Sequence, residues 1–168
     1  MTFRTPAENR YFEDYLPGVV HEFGSITVEE AAIIEFARRF DPQPFHINPE
    51  AAKQTPFGGL IASGWHTGSM AARLLVDHYI SRVAGLGSPG VDEVRWRKPV
   101  RPGDTLSIRV TVLESKLSRS KPNQGTIRSY IEVINQHREV VMTWKGISLV
   151  RCRKLTDVKS ERQSESGP

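Results

Sequence analysis

Between Trp65 and about Val83, Met70, Ala71, Leu74, Leu75, Val76, Tyr79, Ile80 and Val83 leave little polar face beyond Arg73, Asp77 and His78. A helix that is apolar on most of its sides has to be buried. This stretch therefore constrains the fold more than any other, because the rest of the chain must supply a surface that covers it. Small residues at Thr67, Gly68, Ser69, Ala71 and Ala72 leave room for the first half of such a helix to approach a sheet closely. Core packing is the expectation for Trp65.

The covering surface follows in the sequence. After a loop at 85–90 the period changes from helical to alternating. Val94 and Trp96 alternate with charged neighbours, and Pro99 with Pro102-Gly103-Asp104 makes a turn. Ile108, Val110 and Val112 alternate, as do Ile127, Ser129, Ile131 and Val133, with a polar connection over 114–125 between them. Asn135 to Arg138 reads as a hairpin turn, and Val140 to Val150 as a last strand. Its change of parity near Lys145-Gly146 predicts a bulge there.

Upstream, Val19 to Ile26 reads as a first strand. Thr27-Val28-Glu29-Glu30 has the spacing of a capping box. Ile33, Phe36, Ala37 and Phe40 continue it as an amphipathic helix. Asn48-Pro49 opens a second short helix, which Thr55-Pro56 and Gly58-Gly59 end. One strand, helices, a central helix and then four strands on short connections predict an α+β layer architecture. Its antiparallel sheet carries the buried helix on its concave face. At 168 residues the expectation is one domain over 11–154, a flexible stretch at 1–10 and a disordered, charged tail at 155–168.

The chemistry concentrates before the central helix. In Phe40-Asp41-Pro42-Gln43-Pro44-Phe45-His46 a carboxylate and an imidazole lie five residues apart with two prolines between them. Proline fixes its own φ and biases the residue before it, so neither a regular helix nor a central strand is expected here. Eighteen residues after His46 comes Gly64, at the start of the central helix, where free N–H groups stabilise developing negative charge. Singly, Asp41 reads as a helix terminator, His46 as an ordinary polar histidine and Gly64 as a point of close packing. Together they read as an acid/base pair and an oxyanion donor.

Other chemistries find less support. Ser63 and Ser69 lack histidine and acid partners at a suggestive spacing, which argues against a serine hydrolase. The five histidines form no ligand pattern, so no metal is expected. Cys152 is the only cysteine, which excludes an internal disulfide. No run of about 18 apolar residues predicts a membrane span, no leader pattern is present, and the cytoplasm is the default location. The net charge is +4, with basic clusters at Arg95, Arg97, Lys98 and Arg101, at Lys116, Arg119 and Lys121, and at Arg151, Arg153 and Lys154. The motifs and stacking aromatics of a nucleic-acid binder are missing. A phosphorylated small molecule suits this charge equally well.

Phe40 through His46, Gly64, and Lys98-Pro99-Val100-Arg101-Pro102-Gly103-Asp104 together resemble the MaoC-like dehydratase family, over about 11–150. That resemblance implies a hot-dog fold, an antiparallel sheet wrapped around a long central helix, and membership among (R)-specific enoyl-CoA hydratases. It implies that Asp41 and His46 hold and deprotonate a water that attacks C3 of a trans-2-enoyl-CoA. The Gly64 N–H would receive the thioester oxygen as enolate charge builds, giving an (R)-3-hydroxyacyl-CoA. Gln43, Phe45, Ser63 and Trp65 are the expected substrate contacts, with His66 beside Trp65 narrowing the acyl pocket. No cofactor is expected, coenzyme A being part of the substrate, and the expected setting is fatty acid metabolism.

Family members commonly carry asparagine at the position of Gln43, an aliphatic residue at that of Phe45 and histidine at that of Ser63. These departures keep a non-catalytic acyl-thioester binder open. A hot-dog thioesterase is the other alternative, and the absence of an acid in the first half of the central helix counts against it. The resemblance also implies a homodimer or higher homo-oligomer joined through sheet edges, with Arg95, Arg97 and Arg101 near the CoA phosphates.

Overall fold

The computed structural model describes residues 3–153. Its elements are β1 (Val20–Thr27), α1 (Glu30–Phe40), α2 (Pro44–Ile47), α3 (Pro49–Lys53), α4 (Gly64–His78), β2 (Gly90–Trp96), β3 (Thr105–Leu117), β4 (Gln124–Ile134) and β5 (Val140–Arg151). The five strands form one sheet in the order β1-β3-β4-β5-β2, with every neighbouring pair antiparallel. The central helix α4 packs on β1 and β3, so the sheet wraps it in the hot-dog arrangement. No helix among the described residues is long and apolar enough to cross a membrane.

Alternation builds the core as the sequence predicts. Leu106, Ile108, Val110 and Val112 of β3 point inward and are fully buried, and Ile127, Ile131 and Val133 of β4 face the same way. Against them α4 buries His66, Thr67, Met70, Ala71, Leu74 and Leu75. Close approach of helix and sheet is bought with glycine. A methyl on Gly24, which sits at φ +76°, would lie 2.9 Å from Leu74, and the β1 ladder skips a residue there, between Phe23 and Ile26. The Arg101–Asp104 turn closes with the Asp104 N–H donating to the Arg101 carbonyl. Gly103 at φ +86° follows Pro102 in it, the backbone of a type II turn.

Several expectations need correction. The helix α4 ends at His78 rather than near Val83, and one of its faces is open. Trp65 is 60% exposed, Val76 48% and Val83 45%, so the central helix is buried along a stripe and not on most sides. Phe40 at the end of α1 is likewise exposed. Thr27 caps nothing. It is the last residue of β1, paired with Thr105, and the N-cap of α1 is Glu29 with no side-chain bond. The backbone of Val28 is already committed, donating to Asp104 and accepting from Gly103.

Pro44 stands at the first position of a one-turn helix that carries His46, because proline's missing N–H costs nothing there. The polar connection shrinks to 118–123, β3 and β4 each running further into it than alternation suggests. The bulge beside Lys145 lies on β2, and the extra residue of β5 falls upstream, between Val140 and Met142 against β4. From Asp92 to Arg95 the pairing with Lys145 and Thr143 gains one residue, and Glu93 takes φ +55°.

Within residues 3–10, Arg10 packs against the end of α4. Arg10 is 3% exposed and donates to the carbonyls of His78 and Tyr79 at 3.0 and 2.7 Å and twice to that of Thr5. A cation at the C-terminal end of α4 also complements the helix dipole. The expected tail at 155–168 lies outside the described residues.

Candidate active site

The Asp-Pro junction ends α1, leaving Asp41 at its C-cap with φ −153°. Pro44 then starts α2, and one turn later His46 points back at Asp41, Nε2 to Oδ2 3.4 Å. His46 is buried, and its Nδ1 lies 2.8 Å from the Ile61 carbonyl oxygen. A carbonyl can only accept, so Nδ1 carries the proton. In the neutral imidazole Nε2 is then a bare acceptor facing a carboxylate, which is also a bare acceptor. Two acceptors at that separation are satisfied together by a donor placed between them, as a water or a shared proton would be.

Asp41 is braced on both oxygens. The Gln43 amide donates to Oδ1 at 2.8 Å and the Ser63 hydroxyl to Oδ2 at 2.7 Å. Burial alone pushes this carboxyl up. The hydrogen bonds from Ser63 and Gln43 and the neighbouring His46 outweigh it and hold the group below the ordinary carboxylate value. Asp41 is therefore an anion at neutral pH.

Ser63 does two jobs with one hydroxyl. It is fully buried, and as the N-cap of α4 it also accepts from the Trp65 N–H at 3.3 Å. It is thus an Asp41 and helix-end contact and does not reach the cleft, contrary to its expected place among substrate contacts. Gly64 is the first residue of α4, so its N–H has no acceptor within the helix. The other expected substrate contacts, Gln43, Phe45 and Trp65, do line a cleft of about 470 Å³ together with Asp41, His46 and Gly64.

The cleft has a second wall that sequence reasoning did not assign. Trp96, Arg97, Lys98, Pro99 and Val100 close it from the end of β2 and the segment after it. Trp65 meets Trp96 edge to face at 5.1 Å between centroids. Within the Lys98–Asp104 run, only the charge and the turn were legible beforehand. Lys98 is paired with Glu139, Arg97 donates to Thr143 Oγ1 at 3.4 Å, and Arg101 donates to the Phe57 carbonyl, while the Arg95 side chain turns to the Val94 carbonyl. His66 is buried on α4 and stacked on Phe36 at 4.8 Å, and it lines neither the cleft nor the apolar cavity beside it. Burial pushes its pKa down, which keeps it neutral.

A second, apolar cavity of about 400 Å³ runs between α4 and the β2–β5 side of the sheet, and Trp65 lines both. Gly68, Ala72 and Leu75 form its helical wall and Val91, Met142 and Trp144 its sheet wall. Among the described residues no group of three or more histidine, cysteine, aspartate or glutamate side chains gathers as a metal site would require.

Comparison with known proteins places this geometry. A family model described as "MaoC like domain" matches residues 16–134. The solved MaoC-like dehydratase from Rhodospirillum rubrum is 38% identical with a TM-score of 0.81, over 88% of this chain and 100% of that one. The (R)-specific enoyl-CoA hydratase of Rhodospirillum rubrum is 33% identical over 109 residues, 61% of this chain and 69% of that protein. The uncharacterized protein YdeM of Bacillus subtilis is 29% identical over 124 residues, 74% of this chain and 86% of that one.

Proposed function

The chain belongs to the MaoC-like domain family, a family of dehydratases and hydratases, and from that premise we propose that it reversibly hydrates a trans-2-enoyl-CoA to the (R)-3-hydroxyacyl-CoA. The observation that carries this reading is the pair of acceptors, His46 Nε2 and Asp41 Oδ2, 3.4 Å apart in a cleft shared with Gly64. A water donating to both is held with its oxygen lone pair free for attack on C3. Asp41 is braced by hydrogen bonds from Ser63 and Gln43 that hold its carboxyl below the ordinary carboxylate value, which makes it a weak proton acceptor, while the bare Nε2 of His46 beside it is free to take a proton. His46 is therefore the base. It takes the water proton on Nε2, and the resulting imidazolium is stabilised by Asp41 and by the Ile61 carbonyl.

As the C3–O bond forms, the alkene electrons move through C2 onto the thioester oxygen. The Gly64 N–H meets that charge, and a donor of this kind contributes about 2.7 to 4 kcal/mol of transition-state stabilisation. The imidazolium then returns its proton to C2. A thioesterase has less support: the acid on α4, Asp77, lies near its far end and is paired with Arg73 at 2.7 Å.

Incubation with crotonyl-CoA tests the proposal. Loss of the enoyl absorbance without release of thiol is the expected result. Thiol release overturns it in favour of a thioesterase, and binding with neither change overturns it in favour of a binding module.

A further inference from the structure

We propose that Trp96 is a specificity-determining residue of this site, its indole face forming a flat wall beside Gly64 against which a planar, conjugated thioester stacks. The inference rests on the hydratase reading of the cleft and adds to it a residue that neither the family pattern nor the spacing of Asp41, His46 and Gly64 includes.

The geometry begins at Gly64. A Cβ built on it would lie 2.1 Å from Trp96 Nε1, 2.4 Å from Cε2 and 2.6 Å from Cδ1. Three contiguous ring atoms at nearly equal distance mean that the ring presents its face. An approach along the N–H bond would leave the two carbons much farther than the nitrogen. Gly64 takes no positive φ, so glycine is required here for room and not for backbone freedom. The start of α4 and the indole have been brought into contact at the donor that the thioester oxygen needs.

Strand β2 is shaped to deliver that ring. Without its extra residue between Asp92 and Arg95, Val91 and Trp96 would face opposite sides of the sheet, since a one-residue shift exchanges faces. With it, Val91 lines the apolar cavity and Trp96 the reactive cleft, both on the α4 side. The shift costs backbone strain at Glu93, which holds φ +55° and pairs with Lys145. A bulge of this kind commonly re-aims a side chain beside an active site.

Trp96 is 49% exposed and Trp65 60%, a large apolar area left at the mouth of a polar site. A flat α,β-unsaturated thioester covers it by stacking, with its oxygen directed at the Gly64 N–H. A hydrated, tetrahedral C3 fits the same wall less well, which favours release of product. The wall also keeps water off the oxyanion donor, where hydrogen bonds are strongest when solvent is excluded.

The test compares Trp96→Phe, Trp96→Leu and Trp96→Ala with the wild type, using hydration of crotonyl-CoA, and equilibrium binding of crotonyl-CoA with each substitution placed in an Asp41→Asn background that does not turn it over. Trp96→Ala and Trp96→Leu should lower kcat/KM about tenfold, the worth of one aromatic contact, and Trp96→Phe should restore most of it. In the Asp41→Asn background crotonyl-CoA should quench tryptophan emission more than free coenzyme A does, and the excess should vanish when Trp96→Phe is added. A Gly64→Ala variant should be nearly inactive, and adding Trp96→Ala should recover part of the loss by relieving the clash.

If the leucine variant matches the phenylalanine variant, or no excess quench occurs, the wall is not a substrate contact and the proposal fails. If crotonyl-CoA is not hydrated by the wild type while it still quenches Trp96 and binds more weakly to Trp96→Ala, the reaction assigned above is wrong and the wall stands. Because Trp96→Phe keeps the ring packing, the quench comparison decides the matter even if the alanine variant does not fold.

Discussion

Replacing Ser63 with alanine isolates what holds Asp41 in its charged form. The Ser63 hydroxyl donates to Asp41 Oδ2 at 2.7 Å and accepts from the Trp65 N–H at 3.3 Å, and the residue is fully buried. Loss of an N-cap costs about 1 kcal/mol, and loss of a hydrogen bond to a charged group about 1.5 to 3 kcal/mol. One hydroxyl supplies both and the cap bond is long, so the expected total at pH 7 is about 2 to 3 kcal/mol. For a domain of this size that is a fall in Tm of roughly 4 to 12 °C.

The sign of the pH dependence follows from Asp41. Its folded pKa is depressed, first against burial, by Ser63, Gln43 and His46. Its contribution to stability is therefore fully present above the unfolded value near 3.9 and is lost as pH falls through the folded value. Removing Ser63 raises the folded pKa and narrows that gap. Wild type and variant should differ most at neutral pH and approach each other on acidification, until only the cap contribution of about 1 kcal/mol remains. In activity, the acid limb of kcat should move to higher pH. The assay is thermal unfolding of both proteins from pH 7 down to about pH 2, through the folded and unfolded carboxyl values, with a pH–rate profile alongside. A difference below about 1 °C at pH 7, or one that stays constant across the range, refutes the role given to this hydroxyl.

Asp41→Asn and His46→Ala should each lower kcat for enoyl-CoA hydration by orders of magnitude while the protein stays folded, and the double variant should be scarcely worse in kcat, since groups serving one step lose non-additively. Near wild-type kcat in either single variant refutes the pairing. Leu75→Ala should cost about 2 to 5 kcal/mol in denaturant unfolding, because Leu75 belongs to the buried stripe of α4; a loss under about 0.5 kcal/mol would mark a surface site. Arg10→Ala should cost about 2 to 3 kcal/mol and speed proteolysis within the first ten residues, since it strips the donors from the carbonyls at the end of α4; an unchanged cleavage rate refutes the docking. We further propose a homodimer joined through the β2 edge, where Val91 is half exposed and an unpaired strand is otherwise a liability. Sedimentation showing only monomer at micromolar concentration would overturn it.

The elements that follow from contiguous residues were legible in the chain itself. Alternation at Ile108-Val110-Val112 and Ile127-Ile131-Val133 specified two central strands, because side chains on a pleat change face at every residue. Asn48 before Pro49 specified a capped helix, and the Asn48 side chain indeed accepts from the N–H groups of Glu50 and Ala51. Proline at 42 and 44 predicted a break after Asp41 and a stiff link to His46, since φ restriction acts within one or two residues. Asp41 and His46 could be singled out by their short spacing, and Gly64 by its place at the start of an apolar helix.

Contacts between distant segments were decided only on folding. Ser63 looked like a residue facing the substrate, and it turned instead to a carboxylate 22 residues away. That contact depends on the packing of α1 against the start of α4. Trp96 read as one more alternating strand residue until the Asp92–Arg95 shift against β5 carried it to the same side as Gly64. Polar residues 3–10 showed no apolar period, yet Arg10 found carbonyls 68 and 69 residues along the chain. Conformational limits and hydrogen bonds between near neighbours are local and can be read residue by residue. Register, bulges and the partner of a buried polar group depend on which surfaces meet, and that is settled by the packing of the whole core.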